Sequence, residues 1–421
     1  MKSLNRSKKF KLKIGHIAKV EGRIGLEVAI LKDNISSVKL QIKEGARLIE
    51  GILTRRRIEE VPEIVSRICG VCPVAHNLAA IKAIEKALLL DVPYEVNLLR
   101  KLMMCAQIVT SHIFHIFFLA LSDYFDLKDS LMLSKKYPKE FKEVIKIRNF
   151  SNRIIETICG REIHPITSIL GGFYSKLEKE KLKRLLEISP SILESAVKLS
   201  SFFKKIEFFN FSRKTEYISL KNKKEYGFYE GEIVSSDGLS VNTEEIRKFQ
   251  ELNKIINLSE SKEKEYFTGA LARLNNSSDQ IKENAKEILQ EIKINYNNPF
   301  YNLLAQMIEV VHFIEKIQEL LKEVLKISLK KLRVNYKLKE NEGIGVIEAP
   351  RGILIHKYKI NKYGKIEIAR IVTPTFQFLP NLERDLKNIL PLIENLDTKQ
   401  RRKIIKMLVR SYDLCISCAI R

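Results

Sequence analysis

What the sequence has little of narrows the possibilities first. It contains no run of eighteen or more apolar residues free of charge, so no transmembrane segment of its own is expected. The basic start, Met1 to Lys13, leads into no apolar stretch of the kind an export leader carries. The longest apolar segment, Ile113 to Leu121, contains His115 and is too short to cross a bilayer, so it reads as a buried helix. Internal repeats and convincing linkers are missing too, which argues for one domain rather than an array of modules. Cysteine is scarce, with six in 421 residues. That usage fits a reducing, cytoplasmic compartment in which thiols are kept for chemistry.

What is present supports a globular protein, since 421 residues with 45% apolar content can bury a substantial core. The formal net charge of +23 raises nucleic acid or an anionic membrane surface as a partner. The distribution argues against it. Basic residues are interleaved with glutamates, as in KEKEYF and KENAKEILQEIK, and read as solvated helix faces rather than one patch with aromatics.

The fold class reads as mainly α, an α+β arrangement in a single domain spanning 1 to 421. Alternating β-branched residues predict a small N-terminal antiparallel sheet over 11 to 43, turning at Lys32, Asp33 and Asn34. Residues 44 to 335 read as a large helical bundle. Its helices are expected over Glu44 to Arg57, Pro73 to Leu90, Asn97 to Phe125, Lys139 to Cys159, Leu177 to Phe208, Thr243 to Ile256, Ser278 to Lys293 and Pro299 to Leu332. Within the bundle, residues 214 to 242 are rich in turn formers and read as an irregular surface excursion. Strand character returns as hairpins over 343 to 371, and 398 to 421 reads as a C-terminal helix with a closing tail, DLCISCAIR.

Four of the six cysteines fall in two C-x-x-C pairs, Cys69/Cys72 and Cys415/Cys418. Cys105 and Cys159 stand alone in apolar surroundings and read as core residues. Each pair brings two thiolates within reach of one ion, and two pairs make the soft four-ligand set preferred by zinc, nickel or iron-sulfur centres. A zinc ribbon sets its pairs roughly 15 to 20 residues apart. Here nearly the whole chain lies between them, so a shared site would close the fold end to end. A thioredoxin-like pair needs one C-x-x-C on a βαβ unit, and neither pair has that context. Spacing alone leaves a shared tetrathiolate centre, a structural zinc site and unrelated thiols open.

The flanking residues carry more. RICGVCPVAH, from Arg67 to His76, and the terminal DLCISCAIR resemble the two cysteine signatures of nickel-iron hydrogenase large subunits. VEGR (Val20 to Arg23), ARLIEGIL (Ala46 to Leu53), SHIFHIFFLALSD (Ser111 to Asp123), CGREIHP, TGALARLN, EAPRG (Glu348 to Gly352) and TPT (Thr373 to Thr375) also resemble that family, in order and over the whole chain. The resemblance implies terminal nickel thiolates at Cys69 and Cys415. It implies that Cys72 and Cys418 bridge nickel to an iron carrying CO and two cyanides. Such a centre splits H2 heterolytically, which redox-silent zinc on the same sulfurs would not do.

The same resemblance suggests what surrounds the thiolates. His76, one helical turn after Cys72, would direct a ring N–H at a bridging sulfur. Arg351, stiffened by Pro350, would hang over the open metal position, unless it merely pairs with Glu348. Thr375 would hydrogen-bond an iron cyanide, and Glu21 would be the first proton relay out of the site. Glu50 matches a glutamate that ligates magnesium together with a C-terminal histidine. Arg421 replaces that histidine, so magnesium is doubtful and a salt bridge from Glu50 to Arg421 is expected instead. Leu414, Phe378 and Ser111 depart from the family pattern and would make the canopy of the site more apolar.

After four cysteines are used, none remain for cubane clusters, so an iron-sulfur hydrogenase small subunit is implied, with further electron-transfer subunits and maturation factors. The resemblance is greatest to the cytoplasmic, cofactor-coupled groups, and it leaves the membrane-bound, energy-converting group open, where a terminal arginine also occurs. Family precursors often lose a C-terminal extension; a chain stopping at Arg421 is either made without one or is the mature form. The competing readings are a complex-I-type electron-transfer subunit, which would lack the nickel cysteines, and a structural zinc protein.

Overall fold

The computed structural model describes residues 10–31, 34–174, 177–243 and 264–420. The chain opens with strands β1 (Phe10–Ile17), β2 (Ile24–Leu31) and β3 (Asn34–Ile42), paired antiparallel in sequence order. Helices α1 (Ile49–Leu53), α2 (Val61–Ser66), α3 (Pro73–Ala87), α4 (Tyr94–Phe114), α5 (Ser130–Lys136) and α6 (Pro138–Cys159) follow. The two-residue strands β4 (Ser168–Ile169) and β5 (Gly172–Phe173) precede α7 (Lys179–Ser200). Then come β6 (Glu216–Lys221), β7 (Glu232–Ser235), β8 (Ser240–Asn242) and β9 (Tyr266–Phe267). Next are α8 (Ala270–Ser277), α9 (Glu283–Glu291) and α10 (Asn302–Lys326). The last third holds β10 (Asn341–Ala349), β11 (Gly352–Ile360), β12 (Ile366–Val372), α11 (Pro374–Ile389), α12 (Thr398–Ser411) and α13 (Ile416–Ala419).

The mainly helical architecture with small antiparallel sheets agrees with the sequence reading. A bundle of α4, α6, α7 and α10 packs side by side, and each presents an apolar face to its neighbours. Helix α4 runs on through a π-helical stretch, His115–Ala120. The whole helical segment Tyr94–Asp123 is long and apolar enough to cross a membrane by length and composition, contrary to the expectation that no segment reaches that size. Of its apolar window 78% is buried inside the protein, so here it serves as a core helix.

Helix α3 lies flat against β10 and β11. Of its 15 residues 13 are buried, which is the pattern of a helix covered on all sides. The close approach needs glycine in the strand. A Cβ on Gly345 would sit 2.2 Å from the Ala79 carbonyl oxygen, and one on Gly343 would sit 2.1 Å from that of Ala83. Alanines 79, 83 and 87 supply the matching flat face on the helix. This contact joins the first cysteine pair, at the start of α3, to the strands that carry Glu348 and His356.

Several expectations change. The helix read over Glu44 to Arg57 is only α1, because Leu48 takes a left-handed conformation and the preceding backbone docks elsewhere, Arg47 N–H donating to the Ile420 carbonyl. Residues 214–242 are not an irregular excursion. β6, β7 and β8 form a sheet with β9 pairing parallel to β6, and Ile218, Leu220, Tyr226, Phe228, Tyr229 and Ile233 are buried. Helices α5, α8 and α11 were not anticipated. The hairpins of 343 to 371 are three strands in one sheet. The turn at Lys32 and Asp33 and nearly all of the helix read over Thr243 to Ile256 lie outside the described residues, as does Arg421.

Candidate metal centre

The first signature ends one element and starts another. Cys69 follows α2 and accepts a hydrogen bond at its Sγ from Val71 N–H at 3.3 Å; Cys72 is the residue on which α3 begins. A helix N-terminus carries partial positive charge, which favours a thiolate there. Arg47 braces this loop by donating to the carbonyls of Ile68 at 2.5 Å and Arg67 at 3.2 Å. The second signature is held from several sides. Thr375 Oγ1 accepts from Cys415 N–H at 3.0 Å, Thr373 donates to the Cys418 carbonyl at 3.2 Å, and Glu21 takes hold of the residues between the cysteines. The Glu21 carbonyl accepts from Ile416 N–H at 3.0 Å; its carboxylate accepts from Ser417 N–H at 3.0 Å and from the Ser417 hydroxyl. Gly22, at φ +86°, makes room for this: a Cβ there would lie 2.5 Å from Ile416 Cβ.

These supports bring all four thiols together. Cys69 Sγ lies 3.3 Å from Cys415 Sγ, Cys72 Sγ 3.6 Å from Cys418 Sγ, and Cys415 Sγ 2.8 Å from Cys418 Sγ. All four sulfurs fall within 4.8 Å of one another, and all are buried. Hydrogen bonding from Cys415 draws the Cys69 thiol well below its ordinary range, while burial pushes Cys415 well above it. Four crowded sulfurs cannot all ionise without a cation among them. Cys105 and Cys159 are buried apart from the site, their thiols pushed up by burial, as expected of core residues.

A small cavity of about 10 Å³ opens beside the sulfurs, lined by Cys72, His76, Ala349, Pro350, Arg351, Leu354, Pro374, Thr375, Cys415 and Cys418. Larger clefts of about 570 and 790 Å³ lie elsewhere on the surface and contain none of these groups. His76, Pro350, Arg351 and Thr375 are thus brought to one place with three of the cysteines. His76 Nε2 is 3.5 Å from Cys418 Sγ. Thr375 spends its acceptor side on Cys415 N–H, which leaves its own hydrogen to donate.

Arg351 does not pair with Glu348. Its Nε donates to the Asp413 carbonyl at 2.8 Å and to Asp413 Oδ1 at 2.9 Å, with Nη2 also 2.9 Å from Oδ1 but out of line for a hydrogen bond. Nη1 is buried with no hydrogen-bond partner among the described residues. Asp413, whose role the sequence did not reveal, has φ 51° and receives Gln306 Nε2 at 3.0 Å on its other oxygen. Glu348 instead pairs with Arg273 at 2.8 Å, and Arg273 also pairs with Glu309 at 2.6 Å, all three fully buried. Burial pushes Glu309 up, but Arg273 beside it outweighs this and holds the carboxyl at about 2. Glu348 goes the other way, pushed up to about 7 by burial despite Arg273. Arg273 also donates to the carbonyls of Ala349 and Pro350, so this cluster anchors the turn from which Arg351 projects.

Two expected features lie outside the pocket. Glu21 is half-buried and grips the tail rather than lining the cavity. Glu50 stands away from the thiols, pairing with Arg370 at 2.9 Å and accepting from Ile371 N–H at 2.8 Å. Its expected partner Arg421 lies outside the described residues. None of the three family departures lines this cavity: Phe378 packs on Tyr412 and Phe267, Ser111 and Leu414 are buried, and the apolar lining is Ala349, Pro350, Leu354 and Pro374.

Comparison with known proteins agrees with this geometry. A family described as nickel-dependent hydrogenase matches residues 47–161 and 262–421. Sulfhydrogenase 1 subunit alpha of Pyrococcus furiosus is 32% identical over 417 residues, covering 97% of each chain. The NAD-reducing hydrogenase HoxS subunit beta of Cupriavidus necator is 24% identical, covering 97% of this chain and 94% of that one. A crystal structure of an NAD+-reducing [NiFe]-hydrogenase in the H2-reduced state superposes with a TM-score of 0.88 at 22% identity, over 99% of this chain and 100% of that one.

Proposed function

The chain belongs to the nickel-dependent hydrogenase family as a nickel-iron hydrogenase large subunit, and we propose that its four thiolates hold a nickel-iron centre for reversible H2 cleavage. The observation that carries this is the single buried cluster of Cys69, Cys72, Cys415 and Cys418, with Arg351 and Thr375 on its open side. The donor set fits: sulfur is the soft ligand nickel and low-valent iron prefer, and Thr375 keeps a hydroxyl hydrogen for an iron-bound cyanide in an otherwise apolar wall. When bound, the centre supplies heterolytic splitting of H2 and takes up the electrons. Structural zinc is the poorer reading, because a closed tetrahedral site has no use for a cavity roofed by a buried guanidinium with an unpartnered Nη1.

The protein's own groups do the rest. Arg351, fixed by Asp413, keeps a cation over the cavity and is poised to polarise H2 or steady a negative charge. Ala349, Pro350, Leu354 and Pro374 exclude water and so strengthen that field. Glu21, tied to Ser417 between the two cysteines, receives protons at its carboxylate oxygens and passes them outward. Electrons need another carrier. Leu48, Ile52, Ile163 and Ile166 are exposed on segments braced to the Cys69 loop through Arg47 and through His164, whose Nδ1 lies 2.9 Å from the Ser66 carbonyl. That apolar rim suits docking of an iron-sulfur small subunit near the thiolates.

The test is hydrogen–deuterium exchange by the purified complex. Activity that depends on nickel, and on each of the four cysteines, is expected; a nickel-loaded complex that exchanges nothing overturns the reading. In the same assay Glu21→Gln, which keeps its backbone bond to Ile416 and one carbonyl oxygen for Ser417 N–H, should hold its metals yet lose on the order of 100- to 10,000-fold in rate.

A further inference from the structure

Behind the cavity wall, three buried side chains form a row that ends on a cysteine sulfur. Tyr358 Oη lies 2.6 Å from His356 Nδ1, His356 Nε2 lies 3.1 Å from His76 Nδ1, and His76 Nε2 lies 3.5 Å from Cys418 Sγ. Tyr358 and His356 are fully enclosed and His76 nearly so. A neutral imidazole has one donor and one acceptor nitrogen, so the hydrogens along such a row are not independent. Setting one sets them all.

The phenol sets them. His356 Nδ1 is the hydrogen-bond partner of Tyr358 Oη among the described residues, and a buried hydroxyl must deliver its hydrogen to an acceptor. Burial, with the charge of Glu50 behind it, keeps that phenol protonated far above its usual range, so it is a donor at every working pH. Tyr358 therefore donates to His356 Nδ1. His356 must then carry its hydrogen on Nε2 and donate to His76 Nδ1. His76 in turn carries its hydrogen on Nε2, where it faces Cys418 Sγ.

We propose that Tyr358 and His356 are positioning residues that lock His76 into the tautomer whose N–H points at the Cys418 thiolate. The register of the sheet makes this possible. His356 and Tyr358 are two apart on β11, hence on one face of it, and that face meets α3, which carries His76. A thiolate that accepts an N–H donates less electron density to its metal, so the row tunes the ligand from a distance.

The proposal rests on the nickel-iron reading above, and its test separates the two. Infrared spectra of the purified complex are compared for wild type, Tyr358→Phe, His356→Gln, His356→Leu and the double variant His356→Gln/Tyr358→Phe. Loss of the donor to Cys418 enriches the iron in electron density, so the carbonyl band of Tyr358→Phe and of His356→Leu should move to lower wavenumber. His356→Gln should stay at the wild-type position, because its amide N–H faces His76 Nδ1 without help from Tyr358. Adding Tyr358→Phe to His356→Gln should then move nothing further. A Tyr358→Phe band that coincides with wild type overturns the proposal, as does a shift that persists undiminished in the glutamine background. If Tyr358→Phe yields no folded complex, coincident bands for His356→Gln and His356→Leu overturn it equally. A wild-type complex with no carbonyl or cyanide band overturns the nickel-iron reading itself.

Discussion

The two cysteine pairs share one spacing but are held in place by different means. Cys69 and Cys72 stand at the head of a helix buried on nearly every side, against a sheet whose glycines admit it at backbone distance. Cys415 and Cys418 lie on a short tail whose only helix, α13, has four residues. That tail is held by individual hydrogen bonds with Thr375, Thr373, Glu21 and Arg47 and by the burial of Leu414 and Ile416. The first pair is part of the global fold and should be lost only with it. The second is clamped locally, so its geometry can fail while the fold survives. Such a division would suit a centre that has to be built, with one half of the ligand set fixed by the fold and the other held by local bonds.

The largest expected effect lies on the rigid side. Arg273→Leu would leave Glu309 and Glu348 buried with no cation and release the carbonyls of Ala349 and Pro350, costing about 3–5 kcal/mol in urea unfolding. Next is Gly345→Ala, whose methyl group would meet the Ala79 carbonyl. Separation of β10 from α3 should cost about 3 kcal/mol, seen as a lower melting temperature. If either variant lost nickel with unchanged stability, the division between the pairs would be wrong. On the clamped side, Thr375→Val removes the acceptor for Cys415 N–H at constant volume, worth about 1–2 kcal/mol locally. Nickel content should drop while the melting temperature of the chain hardly moves, and a large fall in melting temperature would show that the tail belongs to the core.

The smallest effect is one of pH. Glu348, pushed up from 4.5 to about 7, holds a proton in the folded chain that the unfolded chain releases. Its contribution to stability is therefore complete below about pH 4.5 and is lost as pH rises through about 7. Glu348→Gln should remove that decline, making stability less dependent on pH across this window. His312, pushed down to about 3 by burial, works in the opposite sense, so the difference between variant and wild type is the readout. Parallel curves for the two proteins would mean that Glu348 is ionised in the fold.

The sequence showed the first region better than the second. Helices α3, α4, α6 and α10 have long, strong apolar patterns, and structure and expectation agree on them to within a few residues except at the C-terminal ends of α10 and of α4, which passes into a π-helical stretch after Phe114. The sheet of β6, β7 and β8 was misread because its strands have six residues or fewer, and the turn formers between them dominated. Helix α11, which begins with the TPT segment and carries Thr375, contains Pro380 and so reads as broken. The cysteines, His76, Arg351 and Thr375 were legible because their motifs are local. Their partners were not. For Arg351 local spacing offers only Glu348, three residues away, as an alternative partner, whereas folding brings it Asp413, 62 residues on. Arg47, Arg273, His356 and Tyr358 were missed for the same reason: each acts through a tertiary contact with no counterpart in local spacing.

Elemental analysis of the purified complex tests the central claim most directly. One nickel per complex and one iron beyond those of the iron-sulfur partner, both lost when Cys415 or Cys418 is replaced by serine while the chain stays folded, is the result expected here. Zinc bound to the folded chain, with no nickel in the complex, would contradict it.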